Sequence, residues 1–230
     1  MTKGYIFDYG GTLDTGGCHW GKMLWHAYER VGVPVTEDQF REAYVFVERL
    51  LAKTRIVNPD TTFKQLLSMK IQLELDLLAA KSIIEKGYIN SWQFPMVDDL
   101  YACTQAHTAH SREVLLQLRE RCPLVLVSNF YGNIETVLRE FSLDGIFSHV
   151  VESAVVGVRK PNPQIFTLGV EALGMSADEV TVVGDSIDKD IVPARQAGCQ
   201  TVWIRGEQWT DDPVDETQAG RVIDDLNELI

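Results

Sequence analysis

A chain of 230 residues, 45% hydrophobic and 23% charged, has ordinary globular composition and the length for one large domain, or one domain with a sizeable insertion. Its formal net charge of −12, with no local basic patch, excludes a surface built for nucleic acid or an anionic membrane. A small phosphorylated molecule stays compatible, because one lysine and a few backbone amides can hold a phosphate inside an acidic protein.

The chain opens on an apolar run, Tyr5-Ile6-Phe7, that ends in Asp8 and the turn-forming pair Gly10-Gly11. This pattern predicts a short buried strand with a carboxylate at its carboxyl end, where open α/β sheets place their ligands. A loop follows, then a helix with Met23, Leu24, Ala27, Tyr28 and Val31 on one face, stopped by Gly32 and Pro34. Thr36, with Glu37, Asp38 and Gln39 behind it, reads as the cap of a second helix that carries Phe40, Tyr44, Val47 and Leu51. Asn58-Pro59-Asp60 breaks the chain. A third helix runs from Phe63 to about Glu85, Phe94-Pro95 breaks again, and one or two helices fill Met96 to Arg121. Residues 16 to about 100 thus read as an all-helical unit inserted behind the first strand.

From Cys122 the pattern changes. Leu124 to Val127 is a continuous apolar run ending in Ser128-Asn129, the composition of a buried parallel strand. Helix, short strand at His149–Val151, helix at Gln164–Leu173, strand at Val180–Val183 closing in Gly184-Asp185-Ser186, helix at Ile187–Ala197 and strand at Thr201–Ile204 follow in turn. An edge strand at Arg221–Ile223 and a short terminal helix are expected last. Alternating strands and helices predict an α/β fold, a parallel sheet with helices on both faces. The four cysteines are scattered with no C-x-x-C pair, which argues against a disulfide framework or a zinc site. A first strand at about residue 3 leaves no room for a signal peptide, and no apolar run is long enough to span a membrane. The expectation is a cytoplasmic protein, monomer or homodimer, with no membrane partner.

Three predicted strand ends carry small polar residues, Asp8, Ser128 and Asp185, and Lys160 arrives from a loop bracketed by Pro161 and Pro163. In a parallel sheet those ends share one edge, so the four can meet in one crevice. Their order and the short motifs around them, F-D-Y-G-G-T-L, V-L-V-S-N, K-P-N-P-Q-I-F and V-V-G-D-S-I-D-K-D-I, resemble the haloacid dehalogenase superfamily of hydrolases. The resemblance covers the whole chain. It implies a Rossmann-like core of residues 1–15 and 101–230 and a helical cap of residues 16–100. By the same resemblance Asp8 is the nucleophile that takes a phosphoryl group, and Mg²⁺ is held by Asp8, Asp185 and the carbonyl of Gly10. Gly11, Thr12, Ser128, Asn129 and Lys160 then bind the phosphate of a small phosphorylated substrate, and Asp190, with Asp188 as a nearby competitor, supports the metal site or Lys160.

One departure matters. Most phosphatases of the superfamily carry an aspartate two positions after the nucleophile, as general acid and base, and here that position is Gly10. Losing a positioned acid–base group costs about 10²–10⁴ in rate. Three outcomes stay open: a slow phosphatase that favours good leaving groups, a replacement proton donor with His19 as first candidate, or a protein that binds a phosphorylated ligand and turns it over poorly. Phosphonate cleavage, with Lys22 or Lys53 as a Schiff-base lysine, and carbon–halogen cleavage are further alternatives within the superfamily.

Overall fold

The computed structural model describes residues 2–54 and 56–230. Six parallel strands form one sheet: β1 Gly4–Phe7, β2 Leu124–Ser128, β3 His149–Glu152, β4 Val180–Gly184, β5 Gln200–Ile204 and β6 Arg221–Ile223, in spatial order β3-β2-β1-β4-β5-β6. The chain winds outward from β1 to β3, then returns to the other side of β1 to lay down β4. The strand order therefore reverses between β1 and β4, and the crevice outside their carboxyl ends is where such sheets bind ligands.

Alternation along the strands divides the core. Ile6, Val125, Val127 and Val182 face one side, where they pack against the helices Gln164–Leu173 and Val192–Gln196. Phe7, Leu124, Leu126 and Val183 face the other, in one continuous apolar cluster with the helices inserted after β1. These are α1 (Trp20–Val31), α2 (Glu37–Lys53), α3 (Phe63–Ala80) and α4 (Ile89–Arg119).

The helix signals are largely realised. Gly32 ends α1 at φ 69°, a left-handed turn that glycine adopts without strain. Thr36 and Gln39 make a reciprocal capping box on α2, and Phe40, Tyr44, Val47 and Leu51 are all buried. Two readings are corrected. The third helix stops at Ala80, not near Glu85. The region after Tyr88 is one 31-residue helix, α4, that runs straight through Pro95. Pro95 and Phe94 are exposed there, so water can satisfy the carbonyl whose helical partner proline removes. Because α4 is continuous, the boundary drawn at residues 100 and 101 falls inside a helix. Its first half packs Met96 and Leu100, and its second half hydrogen-bonds Ser111 Oγ to the Leu13 carbonyl just past β1. No helix among the described residues is long and apolar enough to cross a membrane.

Candidate active site

Asp8 follows β1 directly, and its backbone N–H donates to the Val183 carbonyl of β4 at 3.0 Å, which fixes it at the switch point. Gly11 then turns back at φ 99°. A Cβ there would lie 2.4 Å from the Asp185 carboxyl carbon, so glycine is required twice over, by backbone conformation and by close approach. Gly184, the last residue of β4, plays the same part opposite Asp190, whose Cβ would be 2.4 Å from any side chain built there.

These close approaches gather three buried carboxylates. Asp8, Asp185 and Asp190 each present an oxygen within 4.8 Å of the others. Lys160 is buried among them, its ammonium 2.5 Å from Asp8 Oδ1 and 2.7 Å from Asp190 Oδ1. The lysine is aimed by Asn129, whose side-chain amide donates to the Lys160 carbonyl and whose Oδ1 accepts the Lys160 N–H. Asp190 is saturated, because its second oxygen accepts the Ser186 N–H at 3.1 Å. Thr12 donates its hydroxyl to Asp185 Oδ1 at 3.1 Å.

One ammonium does not balance three carboxylates. Burial, together with the charges of Asp190 and Asp8, raises the Asp185 pKa well above its ordinary value. Burial likewise raises that of Asp8, with Lys160 pulling the other way. Lys160 itself is held strongly protonated: burial disfavours its charge, and Asp190 and Asp8 more than reverse that. Hard carboxylate oxygens with an uncompensated negative charge fit a hard divalent cation such as Mg²⁺.

The carboxylates open into a cavity of about 780 Å³ between the sheet edge and the inserted helices. Asp8, Gly10, Ser128, Asn129, Lys160, Asp185 and Asp190 line it. Gly11 and Thr12 do not. Both are buried: the Gly11 N–H donates to Asp14 Oδ1, the Thr12 N–H to the Tyr9 carbonyl, and the Thr12 hydroxyl to Asp185.

His19 does line the cavity. Its Nδ1 accepts the Gly21 N–H as the cap of α1, which places the ring proton on Nε2. Burial first, and the positive charge of Lys189 second, pull its pKa down to about 3. An imidazole in this setting is neutral near pH 7 and has no imidazolium proton to give. Lys22 is bound between Glu37 and Asp211, away from the cavity, whereas Lys53 is exposed at its rim. Of Trp20, Trp25 and Trp92, Trp20 reaches the cavity, and the other two pack on Phe40 and Tyr88.

Several lining residues escaped the sequence reading. Asp14 accepts the Gly11 N–H at 2.7 Å and the Trp20 indole N–H at 2.9 Å, and burial pushes its carboxyl up to about 7. Glu48, Lys70, Tyr131 and Lys189 also face the cavity. The signal for Glu48 was present: it sits one turn after Tyr44 on the buried stripe of α2, a charge where the pattern calls for an apolar residue.

A family model described as haloacid dehalogenase-like hydrolase matches residues 2–198. The chain belongs to the haloacid dehalogenase-like hydrolases. Within that family it is 37% identical over 98 residues to the glyceraldehyde 3-phosphate phosphatase of Pyrococcus abyssi, covering 41% of each chain. It is 25% identical over 232 residues to the phosphoglycolate phosphatase of Vibrio cholerae, covering 97% of this chain and 93% of that one. The chain spans about half, or less, of the length of the first curated relatives it matches. Among solved structures, a HAD hydrolase of Bacillus subtilis bound to magnesium superposes with a TM-score of 0.60 at 17% identity, over 99% of this chain and 96% of that one. At that identity the match speaks for a shared fold.

Proposed function

We propose that this haloacid dehalogenase-like hydrolase cleaves phosphate monoesters by passing the phosphoryl group to Asp8. The observation that carries the reading is the meeting of Asp8, Lys160, Asp190 and Asp185, with Ser128 beside them, at the reversal of strand order. The phosphatase names of the relatives from Pyrococcus abyssi and Vibrio cholerae support it. In this account residues 1–15 and 101–230 act as the core and residues 16–100 as the cap that shelters the site from water.

An Asp8 carboxylate oxygen attacks phosphorus, the bond from phosphorus to the ester oxygen breaks, and the alkoxide leaves. Water then attacks the aspartyl phosphate, releasing phosphate and restoring Asp8. Ser128 and the Asn129 backbone amide hold phosphoryl oxygens, and Lys160 offsets charge at the nucleophile while Asp190 keeps it in place. Bound Mg²⁺, held by Asp8, Asp185 and the Gly10 carbonyl, would neutralise the phosphoryl oxygens and keep them in line for attack. Gly10 leaves the departing oxygen without the usual proton donor, and neutral His19 offers only its Nε2–H as a hydrogen bond. The enzyme therefore favours leaving groups that depart unprotonated.

The rival reading is a phosphate-binding protein with little turnover, and Gly10 is the observation that favours it. The two separate on activated aryl phosphate with and without Mg²⁺, in wild type and Asp8→Asn. Turnover that needs both Mg²⁺ and Asp8 is expected. Mg²⁺-dependent stabilisation by vanadate without any turnover would establish the rival. The reading further takes the protein to be cytoplasmic.

A further inference from the structure

Every carboxylate that lines the cavity is matched by another group. Asp8 and Asp190 share Lys160, Glu48 pairs with Lys70, and Asp14 accepts the Gly11 and Trp20 N–H groups. Asp185 faces the place fitted for a divalent cation. Three cations are left without a partner. Lys53, Arg159 and Lys189 line the same cavity, are exposed, and form no ion pair among the described residues. In a chain of net charge −12, unpaired cations gathered at one opening depart from the rest of the surface. The charge of Lys189 is felt at His19 before α1, at Asp185 after β4 and at Glu48 on α2, so of the three it stands over the interior of the site.

The second observation is the bare position 10. Nothing there protonates a departing oxygen, and neutral His19 has only a hydrogen bond to offer. An alcohol, like water at about 15.7, gives up its proton so reluctantly that its alkoxide leaves poorly unaided. A carboxylic acid ionises at about 4, and the second proton of a phosphate is lost at about 6. A carboxylate or a phosphate therefore departs as a stable anion with no acid to help it. It also carries the negative charge that unpaired cations receive. One feature removes the proton donor and the other supplies the counter-charge, and both suit the same leaving group.

We propose that the substrate is a phosphoric anhydride, an acyl phosphate or a diphosphate, whose anionic leaving group departs unprotonated toward Lys189 while Arg159 and Lys53 steer it in; this rests on the transfer to Asp8 argued above. The chemistry at phosphorus is the same, with an anhydride oxygen in place of the ester oxygen. An Asp8 carboxylate oxygen attacks the terminal phosphorus, the bond from phosphorus to the bridging oxygen breaks, and its electron pair leaves with the carboxylate or phosphate. Water then cleaves the aspartyl phosphate, one of its protons staying on the phosphate and the other passing to solvent. Lys189 stabilises the charge that grows on the leaving oxygen, the part a proton plays for an alkoxide. The Glu48–Lys70 pair is internally neutral and adds no net charge to the wall. An alkyl ester gains from neither feature of the site.

The test measures kcat/KM with Mg²⁺ for acetyl phosphate, pyrophosphate, glycerol phosphate, phosphoglycolate and an activated aryl phosphate, with Asp8→Asn giving the background rate of each. Acetyl phosphate or pyrophosphate is expected to exceed glycerol phosphate and phosphoglycolate by roughly a hundredfold or more, the scale of a missing general acid. The faster of the two anhydrides identifies the leaving group as carboxylate or phosphate. Phosphoglycolate separates charge from leaving ability, because its leaving group is anionic yet departs as an alkoxide. An aryl oxide spreads its charge over the ring and serves as the reference. The ratio of anhydride to aryl kcat/KM is expected to fall roughly tenfold in Lys189→Gln and to stay near wild type in Lys189→Arg, with Tm recorded for both. Glycerol phosphate or phosphoglycolate matching the better anhydride overturns the proposal, and so does a ratio that Lys189→Gln leaves unchanged; Asp8-dependent turnover of the aryl phosphate would then leave the hydrolase reading standing. Turnover of none of the five compounds ends both.

Discussion

At the scale of single residues the molecule buries more acid than it neutralises, and each case has its own counterweight. Asp8 and Asp190 share Lys160, whereas Glu74 has only the Tyr28 hydroxyl, which donates to its Oε2 at 3.1 Å. Glu74 is wholly buried, its other oxygen has no partner, and burial pushes its pKa up to about 8 despite the pull of Lys70. The folded chain thus keeps the Glu74 proton where the unfolded chain, near the ordinary 4.5, has lost it. Because the unfolded state then binds fewer protons, this group lowers stability as pH rises from about 4.5 to about 8, and adds no further slope beyond. Glu74→Gln keeps the shape and removes the ionisation. Its Tm gain over wild type is expected to be near zero at about pH 4 and to grow until about pH 8. A difference independent of pH would show that Glu74 ionises in the fold as readily as outside it. Asp14 and Asp8 shift in the same direction but are common to both proteins and cancel in the comparison.

At the scale of elements, a strap after β5 ties the sheet to the inserted helices. Trp209 lies between His19 and Tyr44, ring centroids 5.2 and 5.0 Å away, with the Arg41 guanidinium 4.1 Å over its face. The Glu207 carbonyl accepts the His19 N–H, and Lys22 reaches Asp211. Room for the indole comes from Gly21 inside α1, where a Cβ would lie 2.0 Å from the ring. Glycine is a poorer helix former than alanine, and the close approach of the indole gives the reason for it in the first turn of α1. Gly21→Ala is therefore expected to lower Tm in the wild-type chain and to raise it, or leave it level, in Trp209→Ala. The same fall in both backgrounds would place the need for glycine elsewhere. This contact was invisible in the sequence because it joins residues far apart in the chain. What periodicity and capping signals do carry came through: the buried stripe of α2, the Thr36 cap, the Gly32 and Gly174 stops, and all six strands. Pro95 misled because a proline's cost depends on whether water reaches the freed carbonyl, and exposure is a tertiary property. In the site, Asp8 and Asp185 were legible because each follows the end of a buried strand, and Lys160 and Asp190 because they fall within the short motifs of the family. Glu48 left a trace, as a charge on the buried stripe of α2, whereas Lys70 and Tyr131 left none, because they reach the cavity from another helix and a loop.

At the scale of the whole molecule, the fold brings Asp8, the proposed nucleophile, together with Lys160 and Asp185 in one crevice, yet leaves position 10 bare. The bare position is not a steric necessity. A Cβ on Gly10 would meet only Trp20, at 3.9 Å, and its backbone is not in the left-handed region. If Asp8 takes the phosphoryl group while nothing at residue 10 activates water, the second half of the reaction is the slower one. The phosphorylated form then builds up with a substrate whose leaving group needs no proton. The direct measurement is acid-quenched peptide mass spectrometry during turnover of an activated aryl phosphate with Mg²⁺, in wild type, Gly10→Asp and Asp8→Asn. The account predicts a phosphoryl group on the peptide containing Asp8 in wild type, less of it with faster turnover in Gly10→Asp, and neither phosphorylation nor turnover in Asp8→Asn. Turnover that persists in Asp8→Asn, or that proceeds with Asp8 never phosphorylated, would contradict it.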